Sequence, residues 1–285
     1  MHNRVTIVDI GSGSMKASVF ERIGDEVQII SGISRGFRLC TKIGADISAR
    51  KIKVTVDFLT RVAELSKANE SQTIVAIATQ AARKASNFHA LRDEVMKKIG
   101  IEVGVISGVT EAKLMAESVK KNMRLNKFIS LDLGCGSVEV AEFDSALLGT
   151  WSLPISSLDL SQMKSFGAAK STVRDSLRSL KFHGADSSKF PLIGGGGTLR
   201  VARLLINGDT HDTLHYDKIV DLLGTLRGKT PEECVDYGVP KIRCDIFPFG
   251  LLIVLGVMEH VGAKMISLTS GNLRMSLALS HFGLL

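Results

Sequence analysis

The stretch Val8-Asp9-Ile10-Gly11-Ser12-Gly13-Ser14 returns later in the chain as Leu131-Asp132-Leu133-Gly134-Cys135-Gly136-Ser137. Each copy follows an apolar run and leads into a second one, which predicts a strand, a tight Asp-x-Gly-x-Gly-Ser turn and another strand. The glycines leave room for backbone N–H groups to point at an anion. A pair of ordinary hairpin turns is the alternative, but the matching Asp, Gly, Gly and Ser favour two related halves that each bind phosphate.

The composition is that of a globular protein. The 285 residues are 45% hydrophobic and 23% charged, enough for one large or two medium domains. The longest apolar stretch, residues 249–258, is shorter than the roughly 20 residues that a helix needs to cross a bilayer. The N-terminus shows no targeting signal, and the four cysteines show no CxxC spacing. We therefore expect a cytoplasmic protein without a membrane partner.

The charge balance suits an anionic partner. Lys and Arg number 36 and Asp and Glu 29, which gives a net charge of +7. The excess is scattered along the chain, and local basic clusters are typical of solvated helix faces. With only two Tyr and one Trp, the chain has few aromatic platforms for stacking bases. We expect no nucleic-acid partner, and a homodimer stays an open alternative.

Hydrophobic periodicity predicts the same order of elements twice: a three-strand meander, then helices alternating with strands. The order restarts at Lys127, just after the polar stretch 122–126. We therefore predict an α/β protein with domains at 1–123 and 124–285; packing of the last helix back on the first domain is an open alternative. Helices are predicted at 51–67, 80–83, 87–99, 110–120, 158–166, 171–180, 199–206, 216–226, 231–237, 245–261 and 272–279.

Three further segments place reactive residues after buried strands. Four glycines at 194–197 lead into a helix whose first N–H groups can bind an anion or a sugar; a flexible connection is the alternative. Arg83, one turn into a helix, can bind a phosphate with both arms of its guanidinium, although a lone Arg there is more often a surface residue. Glu111 lies in a first helical turn, where the helix dipole favours its ionised form. That suits a general base, although a lone Glu there is more often only helix-stabilising charge.

Taken in order, these segments resemble the exopolyphosphatase / guanosine pentaphosphate phosphatase family, a branch of the actin, chaperone-ATPase and sugar-kinase superfamily. Arg243 and Asp245 are similar to the family's late Arg-Ala-Asp segment. The resemblance implies two ribonuclease-H-like domains facing a central phosphate-binding cleft, in a short two-domain form. The matching segments are Asp9 to Ser14, Ala78 to Asn87, Ile106 to Leu114, Asp132 to Glu139 and Gly196 to Thr198.

The resemblance also implies roles for the matching positions. Glu111 would be the base that activates water, with Arg83 as a second catalytic group. Mg²⁺ would be held by Asp9, Asp132 and Glu139, with ordering of the attacking water as the alternative role of Asp132 and Glu139. Phosphates would be bound by Lys16 and by the glycine-rich turns, namely Gly11, Ser12, Gly13, Ser14, Gly134, Cys135, Gly136, Ser137, Gly195, Gly196, Gly197 and Thr198.

The sequence thus predicts a phosphohydrolase that releases terminal phosphate from inorganic polyphosphate or from guanosine pentaphosphate. Three loop residues depart from the family pattern: Gly13 stands where Asn is usual, and Cys135 and Val138 replace Gly and Thr. A Cβ at Cys135 would be strained if that position needs a positive φ. These departures motivate the alternative of a non-catalytic sensor that binds a phosphorylated nucleotide in the same cleft. A small-molecule kinase of the same superfamily is the third interpretation.

Overall fold

The computed structural model describes residues 3–184, 189–208 and 210–285, and the chain divides into two compact units. Unit 1 comprises Met1–Ser107 and Leu273–Leu285, and unit 2 comprises Gly108–Asn272. This division differs from the expected boundary at 123/124, because the helix after Ser107 packs on the sheet of unit 2 and the last helix packs on the sheet of unit 1. Within the described residues, no helix is long and apolar enough to cross a membrane.

Unit 1 is built on a five-stranded sheet in the order β3-β2-β1-β4-β5. The first three strands form an antiparallel meander because tight turns join them, whereas helical crossovers bring in the last two as parallel neighbours. The strands are β1 (Arg4–Ile10), β2 (Ser14–Ile23), β3 (Glu26–Gly36), β4 (Thr73–Ala78) and β5 (Val103–Val105).

Helices cover both faces of this sheet. On one face, buried Phe58, Leu59 and Leu91 pack against the alternate residues Val8 and Ile10 of β1. The other face packs its buried residues against the last helix. The helices of unit 1 are α1 (Ala49–Ala68), α2 (Gln80–Lys84), α3 (Phe88–Ile99) and α11 (Leu273–His281).

Unit 2 repeats the same strand order. Its six-stranded sheet runs β10-β11-β9-β6-β7-β8, and the last five strands of that order reproduce the meander and parallel pair of unit 1. The edge strand β10 was not predicted, since three residues are too few for a periodic signal. The strands are β6 (Lys127–Leu133), β7 (Val138–Asp144), β8 (Ala146–Leu153), β9 (Leu192–Gly196), β10 (Thr213–His215) and β11 (Met265–Leu268).

One helix covers one face of the unit 2 sheet, and a larger group covers the other. The predicted helix at 158–166 is wrong: a single turn ends at Leu160, and a new helix starts at Phe166. The break occurs because the Ser165 hydroxyl accepts a hydrogen bond from the Ala168 N–H at 3.1 Å and caps the new helix. The helices are α4 (Gly108–Met123), α5 (Ser157–Leu160), α6 (Phe166–Leu177), α7 (Gly197–Asn207), α8 (Tyr216–Leu226), α9 (Pro231–Asp236) and α10 (Phe247–Val261).

Candidate phosphate-binding and catalytic site

In unit 1, residues 11–14 form a closed turn between β1 and β2, called here the first turn. The Gly11 N–H donates to the Ser14 carbonyl oxygen at 3.0 Å, and a Cβ at Gly11 would lie only 3.1 Å from that oxygen. Ser12 is buried, and its hydroxyl oxygen accepts a hydrogen bond from the Ala81 N–H at 3.2 Å. The Ser12 side chain therefore fastens the first turn to the start of α2, and its hydroxyl proton is still available as a donor.

The segment after β3 adds cations beside the first turn. The N–H groups of Phe37 and Leu39 donate to carbonyl oxygens of this turn at 3.1 and 3.3 Å, so Arg38 lies between two anchored residues. The Lys51 ammonium donates to the Arg38 carbonyl oxygen at 2.5 Å and sits 4.3 Å from the centre of the Phe37 ring. Burial and neighbouring positive charges lower the pKa of Lys51. Arg38 was missed by the sequence analysis because no motif surrounds it.

Each unit places two charged side chains opposite one another at the end of its first strand pair. In unit 1, Asp9 on β1 faces Lys16 on β2. In unit 2, Asp132 on β6 faces Glu139 on β7, and these two form what we call the acidic pair. Directly opposite residues share a sheet face, so two carboxylates there repel unless positive charge or donors compensate. Glu139 is 2% exposed, and the Ser152 hydroxyl donates to its carboxylate at 3.1 Å.

Residues 134–137 form the second turn, with the same closure as the first. The Gly134 N–H donates to the Ser137 carbonyl oxygen at 3.2 Å, and the Cys135 carbonyl oxygen accepts from the Leu158 N–H at 3.4 Å. Among the described residues, positive φ angles do not occur at Cys135 or at the glycines of the two turns. The condition for strain at Cys135 is therefore not met, and the Cβ of Cys135 costs no backbone strain.

Residues 194–197 are called here the glycine loop. Its first two glycines leave space for side chains of unit 2. A Cβ at Gly194 would overlap Leu199 and Ile266, and a Cβ at Gly195 would overlap the methyl group of Met115. Such overlap would force packed core atoms to move. Packing within unit 2 thus favours glycine at these two positions.

The last two glycines of the loop are constrained differently. Gly196 has a φ of +106°, and a Cβ there would overlap the carbonyl oxygen of Leu133. A Cβ at Gly197 would overlap the guanidinium of Arg243, whose Nη1 also lies 3.8 Å from the Cys135 sulfur. Arg243 therefore joins the glycine loop to the second turn. The sequence analysis noted Arg243 but gave it no role, because its partners lie far away along the chain.

Glu111 lies in the first turn of α4 and is 8% exposed. Met115, one turn later, has its methyl group against Gly195, which pairs with Asp132 in the sheet. Further along the helix, the Lys120 ammonium lies 5.2 Å from the centre of the Phe143 ring. The helix thus runs from the end of the sheet that carries the acidic pair towards the opposite end, with Glu111 at the end of the acidic pair.

Arg83 is half-buried in unit 1, with two hydrogen bonds in place. Its Nε donates to the Gln80 side-chain oxygen at 3.0 Å, and its Nη1 donates to the Ile106 carbonyl oxygen at 2.7 Å. These bonds tie α2, already fastened to the first turn, to the end of β5. The structure thus gives Arg83 a positioning contact in addition to the predicted phosphate contact.

The predicted site residues of unit 1 are those of the first turn, Asp9, Lys16 and Arg83. Those of unit 2 are Glu111, the acidic pair, the second turn and the glycine loop with Thr198, and the structure adds Arg243. Within the part of the chain that the structure describes, no three His, Cys, Asp or Glu side chains form a ready-made metal cluster. A divalent cation here would have to complete its shell with water and ligand oxygens.

A sequence model described as the Ppx/GppA phosphatase family matches residues 18–283. This chain belongs to that family. A curated relative named guanosine-5'-triphosphate,3'-diphosphate pyrophosphatase, from Photobacterium profundum, is 22% identical, over 94% of this chain and 57% of its own length. A relative with the same name from Aliivibrio fischeri is 23% identical over 94% and 57%. The chain thus spans little more than half the length of these relatives.

Solved structures show the same fold. The Aquifex aeolicus PPX-GPPA enzyme is 21% identical, with a TM-score of 0.82 over 97% of this chain and 99% of the other. An exopolyphosphatase from Cytophaga hutchinsonii is 20% identical, with a TM-score of 0.84 over 98% of each chain. Together with the repeated strand order, these likenesses confirm the predicted class of α/β protein with two ribonuclease-H-like domains.

Proposed function

We propose that this chain is a phosphohydrolase that releases terminal phosphate from inorganic polyphosphate or from guanosine pentaphosphate. The observation that carries the proposal is in unit 2, where the buried Glu111 lies in the first turn of α4, at the same end of the sheet as the acidic pair. Water attack on a phosphoanhydride requires a base that deprotonates the water and carboxylates that can bind a metal. Unit 2 places both kinds of group at one end of its sheet. The names of the two relatives, a guanosine-5'-triphosphate,3'-diphosphate pyrophosphatase and an exopolyphosphatase, support both substrates.

The donor set fits Mg²⁺. This ion is usually held by one or two carboxylates, with substrate phosphates and water filling its other positions. Asp132 and Glu139 supply two such carboxylates on one sheet face, and a cation would relieve their mutual repulsion. We propose that these two residues hold the ion. The role of Asp9 as a further ligand, which the resemblance implies, stays a prediction with its own test. When bound, Mg²⁺ would neutralise charge on the phosphoryl oxygens.

The residues of the chain would carry the remaining steps. Glu111 would take a proton from water as the water oxygen bonds to the terminal phosphorus. The anhydride P–O bond would break in line with that attack, and its electron pair would leave with the shortened substrate. Backbone N–H groups of the two turns and of the glycine loop would bind phosphoryl oxygens, together with Thr198, Lys16, Arg83 and Arg243. Positioning and electrostatic stabilisation would supply most of the rate.

The decisive experiment measures inorganic phosphate released from polyphosphate, and separately from guanosine pentaphosphate, with Mg²⁺ and no added acceptor. A phosphohydrolase releases phosphate under these conditions. A sensor would bind guanosine pentaphosphate without releasing phosphate, and a kinase would require an acceptor molecule. The substitution at Cys135 was one reason for the sensor alternative. Because Cys135 does not have a positive φ, its side chain causes no backbone strain, and this reason loses weight.

Arg83→Ala should raise KM by about 10- to 100-fold, because a charge-assisted contact to phosphate is lost. Arg83→Lys should recover only part of this loss, since an ammonium cannot replace the planar fork. The matched control is Lys84→Ala, which removes the adjacent and exposed cation of the same helix. Unchanged substrate binding in both Arg83 variants would make Arg83 a structural residue only.

Asp132→Asn should raise the Mg²⁺ concentration for half-maximal activity at least about tenfold, because an amide is a poorer ligand for a hard cation than a carboxylate. Asp9→Asn should act in the same direction. Asp144→Asn is the control, since Asp144 lies at the other end of the same strand pair and contacts Lys127 at 2.9 Å. Mg²⁺ titrations that match wild type in both test variants would refute the assigned metal ligands.

We also propose a cytoplasmic setting. All four cysteines, which the structure describes, carry free thiols, and three of them are buried. Burial raises the pKa of Cys40 and Cys234, which keeps these thiols protonated. Free thiols are typical of proteins in reducing compartments.

A further inference from the structure

Unit 2 contains a cavity of about 600 Å³ between α6, α8 and α10. Among the described residues that line it, none belongs to the two turns, the glycine loop, the acidic pair or the start of α4. Sites for small organic ligands typically have volumes of about 300 to 1,000 Å³. The cavity is therefore large enough to hold a ligand of its own.

The floor of the cavity is aliphatic, and glycines create its space. Apart from the adjacent residues and the backbone of its own helix, no atom lies within 4 Å of the place where a Cβ at Gly224 would be, so this exposed helix position faces open space. Gly256 allows α10 to approach α6 closely, since a Cβ there would overlap Val173. Four leucines line the floor, and because each is almost fully buried, each offers the cavity only a small part of its side chain: Leu177, Leu223, Leu252 and Leu255.

The aromatic groups of the cavity already have partners. The Phe166 ring lies 4.9 Å from the Arg227 guanidinium carbon and 5.6 Å from the Phe249 ring centre. The Tyr216 hydroxyl donates to the Glu259 carboxylate at 2.6 Å, and this bond raises the pKa of Tyr216 to about 12. The apolar part of the wall that is left for a ligand is thus mainly aliphatic, which suits a flexible hydrocarbon tail better than a stacked ring.

The charged groups of the lining are mostly positive. Lys170 and Arg174 lie one turn apart on α6, and Arg227 follows the last residue of α8. Glu259 is the one acidic residue among the described lining residues, and its carboxylate already accepts the bond from Tyr216. Three cations around an aliphatic floor favour a ligand with a negative head and an apolar tail.

We propose that this cavity binds a medium-chain aliphatic carboxylate. The tail lies against the leucine floor, where removal of the tail's own apolar surface from water supplies most of the affinity. The carboxylate lies among Lys170, Arg174 and Arg227, which set its orientation.

The test is calorimetric titration of the whole chain with decanoate. Decan-1-ol, which has the same tail without the charge, and inorganic phosphate, which has charge without a tail, are titrated in parallel. We expect saturable decanoate binding with a Kd below about 100 µM and at least tenfold weaker binding of the alcohol. Absence of saturation by decanoate up to about 1 mM would overturn the proposal. The proposal would also be overturned if inorganic phosphate displaced decanoate and bound with a similar Kd.

Variants separate the cavity from the rest of the surface. Gly224→Leu should fill the open space and weaken decanoate binding at least about tenfold without harming the fold, because leucine favours a helix more than glycine does. Thr225→Leu adds the same side chain one position along and outside the lining, so its binding should match wild type. The double change Lys170→Gln with Arg174→Gln should weaken decanoate but not decan-1-ol, with Arg178→Gln as the control. Wild-type decanoate affinity in Gly224→Leu would place the ligand elsewhere and refute the site.

Discussion

Replacing Glu111 with Gln should lower kcat for phosphate release by about 10²- to 10⁴-fold, with little change in substrate binding. Glutamine keeps the size and hydrogen-bonding reach of the side chain but cannot accept the proton of the attacking water. Glu111 lies in the first turn of α4, at the end of the unit 2 sheet that carries the acidic pair, and is almost fully buried. The measurement is single-turnover phosphate release with saturating Mg²⁺.

Glu117→Gln is the matched control, because it makes the same change on the same helix at a half-exposed position. The control should retain wild-type kcat. Melting temperatures of both variants should stay near that of wild type, since neither change removes apolar packing. Turnover by Glu111→Gln equal to that of the control would refute the role of Glu111 as the base.

Gly196→Ala should destabilise the protein by about 3 kcal/mol or more. Two penalties coincide at this position: the φ of +106° is rarely adopted by residues with a Cβ, and the added Cβ would overlap the Leu133 carbonyl oxygen. Leu133 ends β6, so the strand and the glycine loop cannot both keep their places. Chemical denaturation followed by circular dichroism measures the free energy of unfolding.

The control for Gly196→Ala is Gly262→Ala. Gly262 follows α10 with a φ of +72°, in the left-handed region, and a Cβ there would meet no atom within 4 Å. Its replacement should cost only about 1 to 2 kcal/mol, the penalty of the backbone conformation alone. Equal losses in the two variants would mean that the overlap with Leu133 is relieved by a small shift and adds nothing.

Much of the site was predictable from local sequence because its parts are local. An Asp that ends a strand and a glycine-rich turn that follows it are set within a few residues, and the turn closes in the same way in both units. The opposed positions of Asp132 and Glu139 follow from the length of the hairpin turn between them. The roles that depend on these positions stay predictions until the variants are measured.

Other parts of the site arise from contacts between distant segments. Arg243 lies 108 residues from Cys135 along the chain, and its guanidinium reaches the second turn only because α10 and the glycine loop pack together. Arg38 lies beside the first turn through backbone bonds from Phe37 and Leu39. From the sequence alone, Arg38 and Arg243 look like ordinary surface cations, because no adjacent residue indicates their partners.

The sequence by itself determined the class of the fold and the repeated strand-turn-strand units, because periodicity, glycine turns and helix caps act over a few neighbouring residues. Only the tertiary structure decided that α4 belongs to unit 2 and α11 to unit 1. Each of these helices has an apolar side that could cover either sheet. The sheet that it covers is selected by long-range packing: Met115 fits against Gly195, and Ala278 fits against Val5, Ile7 and Phe20. That packing also brings Glu111 to the end of the sheet that carries Asp132 and Glu139.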